Sequence, residues 1–293
     1  MENNELTYRN FNTISPSAKW MLYMKGHTTI PFARETAELM KYPEKYVPDY
    51  NRRDLTFWAR TVHFESRYLS IDQLLNELPA KNILELSSGF SFRGLEKAKE
   101  KGIHYIDTDL PDVISTKKEF MTSLLNESGK LEGKLELLPM NALDVIQFQE
   151  TVKHFPNGEI TIVNEGLMMY LDMNEKEKLC GIIHKILKER GGYWITADIY
   201  LKNELKKLEL KVDEKTQEFF EQHHLEDNKF ESFKEAEAFF KSMGFTVEKE
   251  AKIKRSQLSS LKYLMNSLSL RQLFRLRKAG KMQSTWRLKV SET

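Results

Sequence analysis

The sequence predicts a doubly wound α/β fold with a largely parallel sheet, and two observations carry that expectation. From residue 82 onward, short apolar runs alternate with longer helical stretches, the signature of βαβ units. Small or acidic residues come after several of these runs, as in Glu85-Leu86-Ser87-Ser88-Gly89, Asp107-Thr108-Asp109 and Asn164-Glu165-Gly166. Open α/β sheets bind ligands just beyond the carboxyl ends of their strands, where such residues are useful.

The elements come in order along the chain. The first 80 residues or so read as a helical cover. Ser15-Pro16-Ser17 suits a cap with a first-turn proline, leading into Trp20, Met21 and Met24. A second helix fits Pro31 to Met40, breaks fall at Pro43 and Pro48, and a third helix runs from Leu55 to Leu78, ended by Pro79. Strands are expected at 82–86, 103–106, 135–138, 160–164, 193–199 and 246–252, with helices at 93–101, 113–126, 146–154, 175–190 and 232–243. Leu258, Leu261, Met265 and Leu268 give helical spacing within an insertion at 255–280. Thr285 to Val290 alternates like a last strand, so the two late strands are expected to form an antiparallel pair at the sheet edge. With no repeat or linker between them, the cover (1–80) and the α/β part (81–293) are expected to form one unit.

Composition narrows the function classes. Of 293 residues, 40% are hydrophobic and 30% charged, enough for a real core. The net charge of +2 gives no whole-molecule field favouring nucleic acid or a membrane surface. Cys180 is alone, which excludes an intramolecular disulfide. The polar stretch Met1 to Asn12 has no signal-peptide pattern and no segment has the ~20 apolar residues of a membrane span, so a cytoplasmic protein is expected.

The loop after the first strand has one glycine where a dinucleotide fingerprint needs three, which counts against NAD or FAD. Asp107 or Asp109 could accept both ribose hydroxyls of a nucleoside, or cap the next helix ahead of Leu110-Pro111. Glu165, at a strand end before glycine, suits a ligand's ammonium group or the neighbourhood of a sulfonium.

Four stretches make the pattern specific: Phe57-Trp58-Ala59-Arg60-Thr61, Ile83-Leu84-Glu85-Leu86 with Gly89, Asp107 through Ile114, and Asn164-Glu165-Gly166-Leu167-Met168-Met169-Tyr170-Leu171. With these, the chain resembles the leucine carboxyl methyltransferase family, including its bacterial branch of tetracenomycin-type polyketide O-methyltransferases, over about residues 15–250. The resemblance implies a class I S-adenosylmethionine methyltransferase sheet and S-adenosylmethionine as cofactor. By position it places Arg60 on the cofactor's methionine carboxylate and Lys19 near the same end. Glu85 and the Ser87–Gly89 turn would line the methionine moiety, Asp109 would take the ribose, and Ala142 and Leu143 would contact adenine. Glu165 would lie by the amino group and sulfonium, and Tyr170 toward the acceptor.

Two positions depart from the family. Ser87 stands where the first motif has its first glycine, a site that disfavours a side chain if φ is positive. Ala142 stands where the family usually has an aspartate, leaving Asp144 or Asn141 as substitutes. The expected function is methylation of a carboxylate or hydroxyl of a small molecule, or of a peptide C-terminus. A carboxylate acceptor is ionised at neutral pH and needs no base, and no His/Asp pair suggests one. The alternative is a non-catalytic protein that keeps the fold but has lost its cofactor. His223-His224 with Glu226 and Asp227 reads as chance rather than a metal site, and His27 and His63 as ordinary residues of the cover. The basic cluster Arg271, Arg275, Arg277, Lys278 and Lys281 reads as a solvated helix face rather than an RNA-binding surface.

Overall fold

The computed structural model describes residues 15–40, 46–202, 214–269, 271–273 and 280–291. The N-terminal stretch Met1 to Asn12, Pro43, and Arg275, Arg277 and Lys278 of the basic cluster lie outside them.

Seven strands form one sheet: β1 (Asn82–Leu86), β2 (His104–Asp109), β3 (Lys134–Pro139), β4 (Ile160–Asn164), β5 (Gly192–Tyr200), β6 (Phe245–Glu250) and β7 (Gln283–Val290). Their order is β3-β2-β1-β4-β5-β7-β6. The first five are parallel, and β7 runs antiparallel between β5 and β6. The late antiparallel pair is thus present, with β7 inside the edge and β6 on it.

Period-two alternation sends successive side chains to opposite faces. Leu84, Leu86, Ile106, Ile162 and Trp194 pack on one face with α6 (Val145–Val152), α7 (Met173–Arg190) and α9 (Phe233–Ser242), the helix that follows α8 (Glu214–Gln222). Ile83, Tyr105, Val163 and Ile195 face the other way, against Ile71, Leu74 and Leu75 of α3 (Leu55–Asn76). Phe92, Leu95, Met121 and Leu124 extend the apolar packing through α4 (Arg93–Lys97) and α5 (Pro111–Ser128). The sheet is therefore covered on both faces, as parallel sheets require. Cys180 is in the α7 core, where burial pushes its thiol up to about 12.

Local chemistry sets the helix starts. Asp54 caps α3 by accepting from the Phe57 N–H, and Asp172 and Glu175 form a capping box at α7. Pro111 occupies the first turn of α5, where its missing N–H costs nothing. Three differences from expectation are larger than a residue or two. β2 runs on to Asp109, so both aspartates lie within the strand, since parallel pairing with β3 continues that far. α4 ends at Lys97, and the insertion condenses to α10 (Leu261–Ser267) after a 3-10 turn.

The cover consists of α1 (Ser15–Lys25), α2 (Ala33–Leu39) and the N-terminal part of α3. α10 packs on α3 through Trp58 stacked against Tyr263 at 4.7 Å and through Leu264. Fully buried Glu65 accepts hydrogen bonds from the backbone N–H and hydroxyl of both Ser259 and Ser260, tying the insertion to α3. Among the described residues, no helix is long and apolar enough to cross a membrane.

Candidate functional site

A cleft opens at the carboxyl ends of β1 to β4, roofed by Ser17, Ala18, Met21, Leu22 and Lys25 of α1. Counted out to its open mouth, open solvent included, it encloses about 1120 Å³.

The turn after β1 forms one wall. Ser87 and Gly89 both take positive φ, +50° and +53°. The left-handed region costs a non-glycine residue about 1–2 kcal/mol, so the serine has kept the turn at an energetic cost. Two backbone donors pin the turn to β2: Ser88 N–H donates to Thr108 O at 2.9 Å, and Gly89 N–H to Asp109 Oδ2 at 2.7 Å. Asp109 Oδ1 accepts from Leu110 N–H at 2.7 Å. Burial raises the Asp109 carboxyl above its ordinary value, opposed by these two N–H groups. Each oxygen thus accepts one N–H and keeps a second lone pair, and Asp109 lines the cleft.

Asp107, two residues earlier on the same strand face, pairs with Lys117 of α5 at 3.0 Å. Burial pushes its carboxyl up to about 7, against the pull of Lys117 and with help from Glu85. A carboxyl whose folded value is raised contributes stability that is fully present below its ordinary 3.8 and lost as pH rises through about 7. Asp107→Asn is therefore expected to flatten the fall in stability between pH 5 and pH 8, read as urea midpoints at both values. An unchanged slope would assign it to another group.

Glu165 is the electrostatic centre of the floor. Lys25 Nζ lies 2.6 Å from its Oε1, Arg67 Nε 3.1 Å from the same oxygen, and Arg93 Nη2 3.1 Å from Oε2. Burial alone would raise this carboxyl, but the three cations overcome it and hold it far below the ordinary value. Lys25 is in turn lowered by burial, only partly offset by Glu165. Arg93 also binds Asp72 at 2.8 Å and pairs with Glu85, whose other oxygen accepts from the Tyr105 hydroxyl at 2.6 Å. The loop carrying Glu165 is fastened by Asp198. That carboxylate accepts from the N–H groups of Gly166, Leu167 and Met168 at 2.6, 2.7 and 3.1 Å, and from the Asn164 amide at 2.7 Å. The β5–β7 register shifts between Thr196 and Ile199, and Asp198 sits within that irregularity; bulges often re-aim a side chain next to a site.

Of the residues singled out from sequence, Glu85, Ser87, Gly89, Asp109, Ala142, Leu143, Glu165 and Tyr170 all line this one cleft. Lys19 and Arg60 do not line it. The Arg60 guanidinium lies over the rings of Trp20 and Phe220, 4.7 and 5.9 Å from their centroids. The cations that do reach the cleft, Lys25 and Arg67, are six and seven residues further along α1 and α3. Asp144 caps α6 through the Ile146 and Gln147 N–H groups, whereas Asn141 lines the cleft beside Ala142. Tyr170 donates to Ser17 Oγ at 3.0 Å, joining the loop to the roof.

His27 sits among Tyr23, Tyr46, Phe57 and Trp58, and His63 bonds to the Tyr200 hydroxyl at 2.8 Å. Neither lines the cleft. His223 is buried against Phe219 and Tyr170 while His224 is exposed, and no group of metal-ligating residues assembles among the described residues. Sequence reasoning missed Lys25, Arg67, Arg93 and Asp198. The available signal was Arg67 amid the buried run Phe64, Tyr68 and Ile71, since a charge inside an apolar stripe is kept only when paired.

No model of a known protein family matches the sequence, and no curated protein matches it. Solved structures do. The methyltransferase domain of bacterial CtHen1-C aligns with a TM-score of 0.51 at 12% identity, covering 79% of this chain and 100% of that one. Magnesium protoporphyrin IX methyltransferase from Synechocystis PCC 6803 gives 0.49 at 8% identity over 93% of this chain and 100% of that one. An O-methyltransferase family protein from Burkholderia thailandensis gives 0.47 at 14% identity, over 80% of this chain and 59% of that one. The chain spans 44% of the length of LepI, another of these structures. At such identities the likeness speaks for the fold alone, and the fold is that of the class I S-adenosylmethionine methyltransferases.

Proposed function

We propose that this chain is an S-adenosylmethionine-dependent O-methyltransferase acting on a carboxylate or hydroxyl of a small molecule, related to the leucine carboxyl methyltransferases by its four matching stretches. One observation carries the proposal: a turn with positive φ, a buried acid at the end of β2, a cleft residue pair after β3 and a buried acid after β4 converge on one cavity.

The residues present fit the cofactor. Asp109 would hold the ribose hydroxyls, Asn141 to Leu143 would face adenine, and the Ser87–Gly89 turn permits close approach of the methionine part. Lys25 and Arg67, which line the cleft where Lys19 and Arg60 do not, would take the methionine carboxylate. Arg67 already gives Nε to Glu165 and Nη1 to the Tyr200 hydroxyl, while among the described residues Nη2 meets only the Met21 thioether at 3.5 Å, a weak acceptor that an anion would displace. Ser87 keeps the left-handed turn, which speaks against loss of the cofactor through that substitution.

Bound, the cofactor supplies an electrophilic methyl group on a sulfonium. The chain's own part is to orient and to exclude water. Met21, Leu22, Leu167, Leu171 and Tyr170 give the cleft that Glu165 also lines its apolar part. No histidine or cysteine is among the lining residues described. An acceptor carboxylate, ionised at neutral pH, needs neither, which favours it over a hydroxyl.

Calorimetric titration with S-adenosylhomocysteine tests the site. We expect micromolar binding by the wild type, weakened about 100-fold by Asp109→Ala and at least about tenfold by Arg67→Ala, with Arg60→Ala within about twofold of wild type. Absence of binding by folded wild type would sink the proposal. Equal losses in the two arginine variants would sink the assignment of Arg67.

A further inference from the structure

Lys117 is a fully buried lysine that does not line the cleft. It lies beneath the turn after β1, its ammonium 3.0 Å from Asp107 Oδ2 and donating to Ser88 Oγ at 2.9 Å. The Phe92 ring centroid lies 5.3 Å away on its apolar side. A charge so placed is costly even when paired, and a hydrophobic residue would fill the space more cheaply. The group it holds is next to the strained residue. Ser87 has φ +50°, a conformation glycine adopts freely and serine does not.

Ser88 is gripped from two sides. Its N–H is bonded to Thr108 O on β2 and its hydroxyl to Lys117 on α5. Two fixed points on one residue leave the preceding peptide little freedom. Gly89, next in the chain, donates its N–H to Asp109, so movement at Ser88 would also disturb the acid assigned to the ribose.

We propose that Lys117, anchored by Asp107, is a positioning residue that clamps Ser88 and thereby keeps Ser87 left-handed, replacing by a buried charge-assisted bond the freedom that a glycine would supply. The clamp stands on geometry alone, whereas its effect on cofactor affinity rests on the proposed methyltransferase function. Any ligand seated on this turn then depends on a side chain that never touches it.

The clamp predicts a specific coupling between positions 87 and 88. Hydrogen exchange of the peptide spanning 86–92 is measured in the ligand-free full chain, for wild type, Ser88→Ala, Ser87→Gly and the double variant. Ser88→Ala is expected to speed exchange of the turn amides about tenfold when serine is at 87, the worth of one hydrogen bond to a charged group. In the Ser87→Gly background the same substitution should change exchange by less than about twofold. Equal acceleration in both backgrounds, or none in either, would overturn the clamp. Lys117→Met should reproduce the Ser88→Ala effect; should it fail to fold, the Ser88→Ala pair decides alone, because it leaves the Lys117–Asp107 pair intact. Titration of the same four proteins with S-adenosylhomocysteine separates the two proposals. Coupled exchange with no binding by wild type would uphold the clamp and overturn the cofactor reading. Tight binding with uncoupled exchange would do the reverse.

Discussion

Arg93→Leu is expected to destabilise the chain by about 3–5 kcal/mol, the loss seen when one member of a buried ion network is removed. The side chain is 1% exposed and bonded to Asp72, Glu85 and Glu165, with its Cζ 4.1 Å from the Tyr68 ring centroid. Leucine would replace the stem but take the guanidinium from Glu85, which keeps the Tyr105 hydroxyl, and from Asp72. For a chain of this size the change corresponds to a melting temperature lower by about 5–8 °C. Urea unfolding at pH 7 measures it. A loss below about 1 kcal/mol would mean that the carboxylates relax to water or protonate readily, and that the network is not a structural hub.

Asp198→Ala has a second large expected effect, because it strips one acceptor from three N–H groups and an amide at once. Leaving buried donors unsatisfied costs about 1–3 kcal/mol each where water cannot reach them, so a stability loss of about 3 kcal/mol or more is expected. Glu165 rides on the same loop, and S-adenosylhomocysteine affinity should fall about 100-fold with it. Asp198→Asn, which keeps the shape but turns one acceptor into a donor, should lie between. Urea unfolding and calorimetry on both variants decide the matter. Unaltered affinity in Asp198→Ala would show that the loop is held by other contacts.

Local pattern carried much of the fold. The apolar runs of β1 and β4 were legible because strands buried on both faces read as largely hydrophobic stretches, and α7 because its cap and period coincide. Residues just after those strands, Ser87, Gly89 and Glu165, were legible for the same reason: a strand's end places them, whereas Tyr170 was named through the family resemblance. Lys25 and Arg67 were not, because which turn of a roofing helix faces a cleft depends on how that helix docks. Two turns along α3 separate Arg60 from Arg67, and periodicity alone does not tell which one points inward. Asp198 was invisible for another reason. It lies inside an apolar strand at a shift of register with β7, and sequence spacing does not reveal where a ladder slips.

The strand order carries a consequence for synthesis. β6 precedes β7 in the chain, yet β7 separates it from β5. A nascent polypeptide that has emerged as far as residue 250 therefore has β6 made but no rightful neighbour for it, and the edge of β5 stands open. Until residues 283–290 arrive, the two edges are free to pair with each other or with another chain. Charges at Glu248, Lys249 and Glu250 make that premature edge-to-edge pairing costly, so β6 is kept waiting for β7.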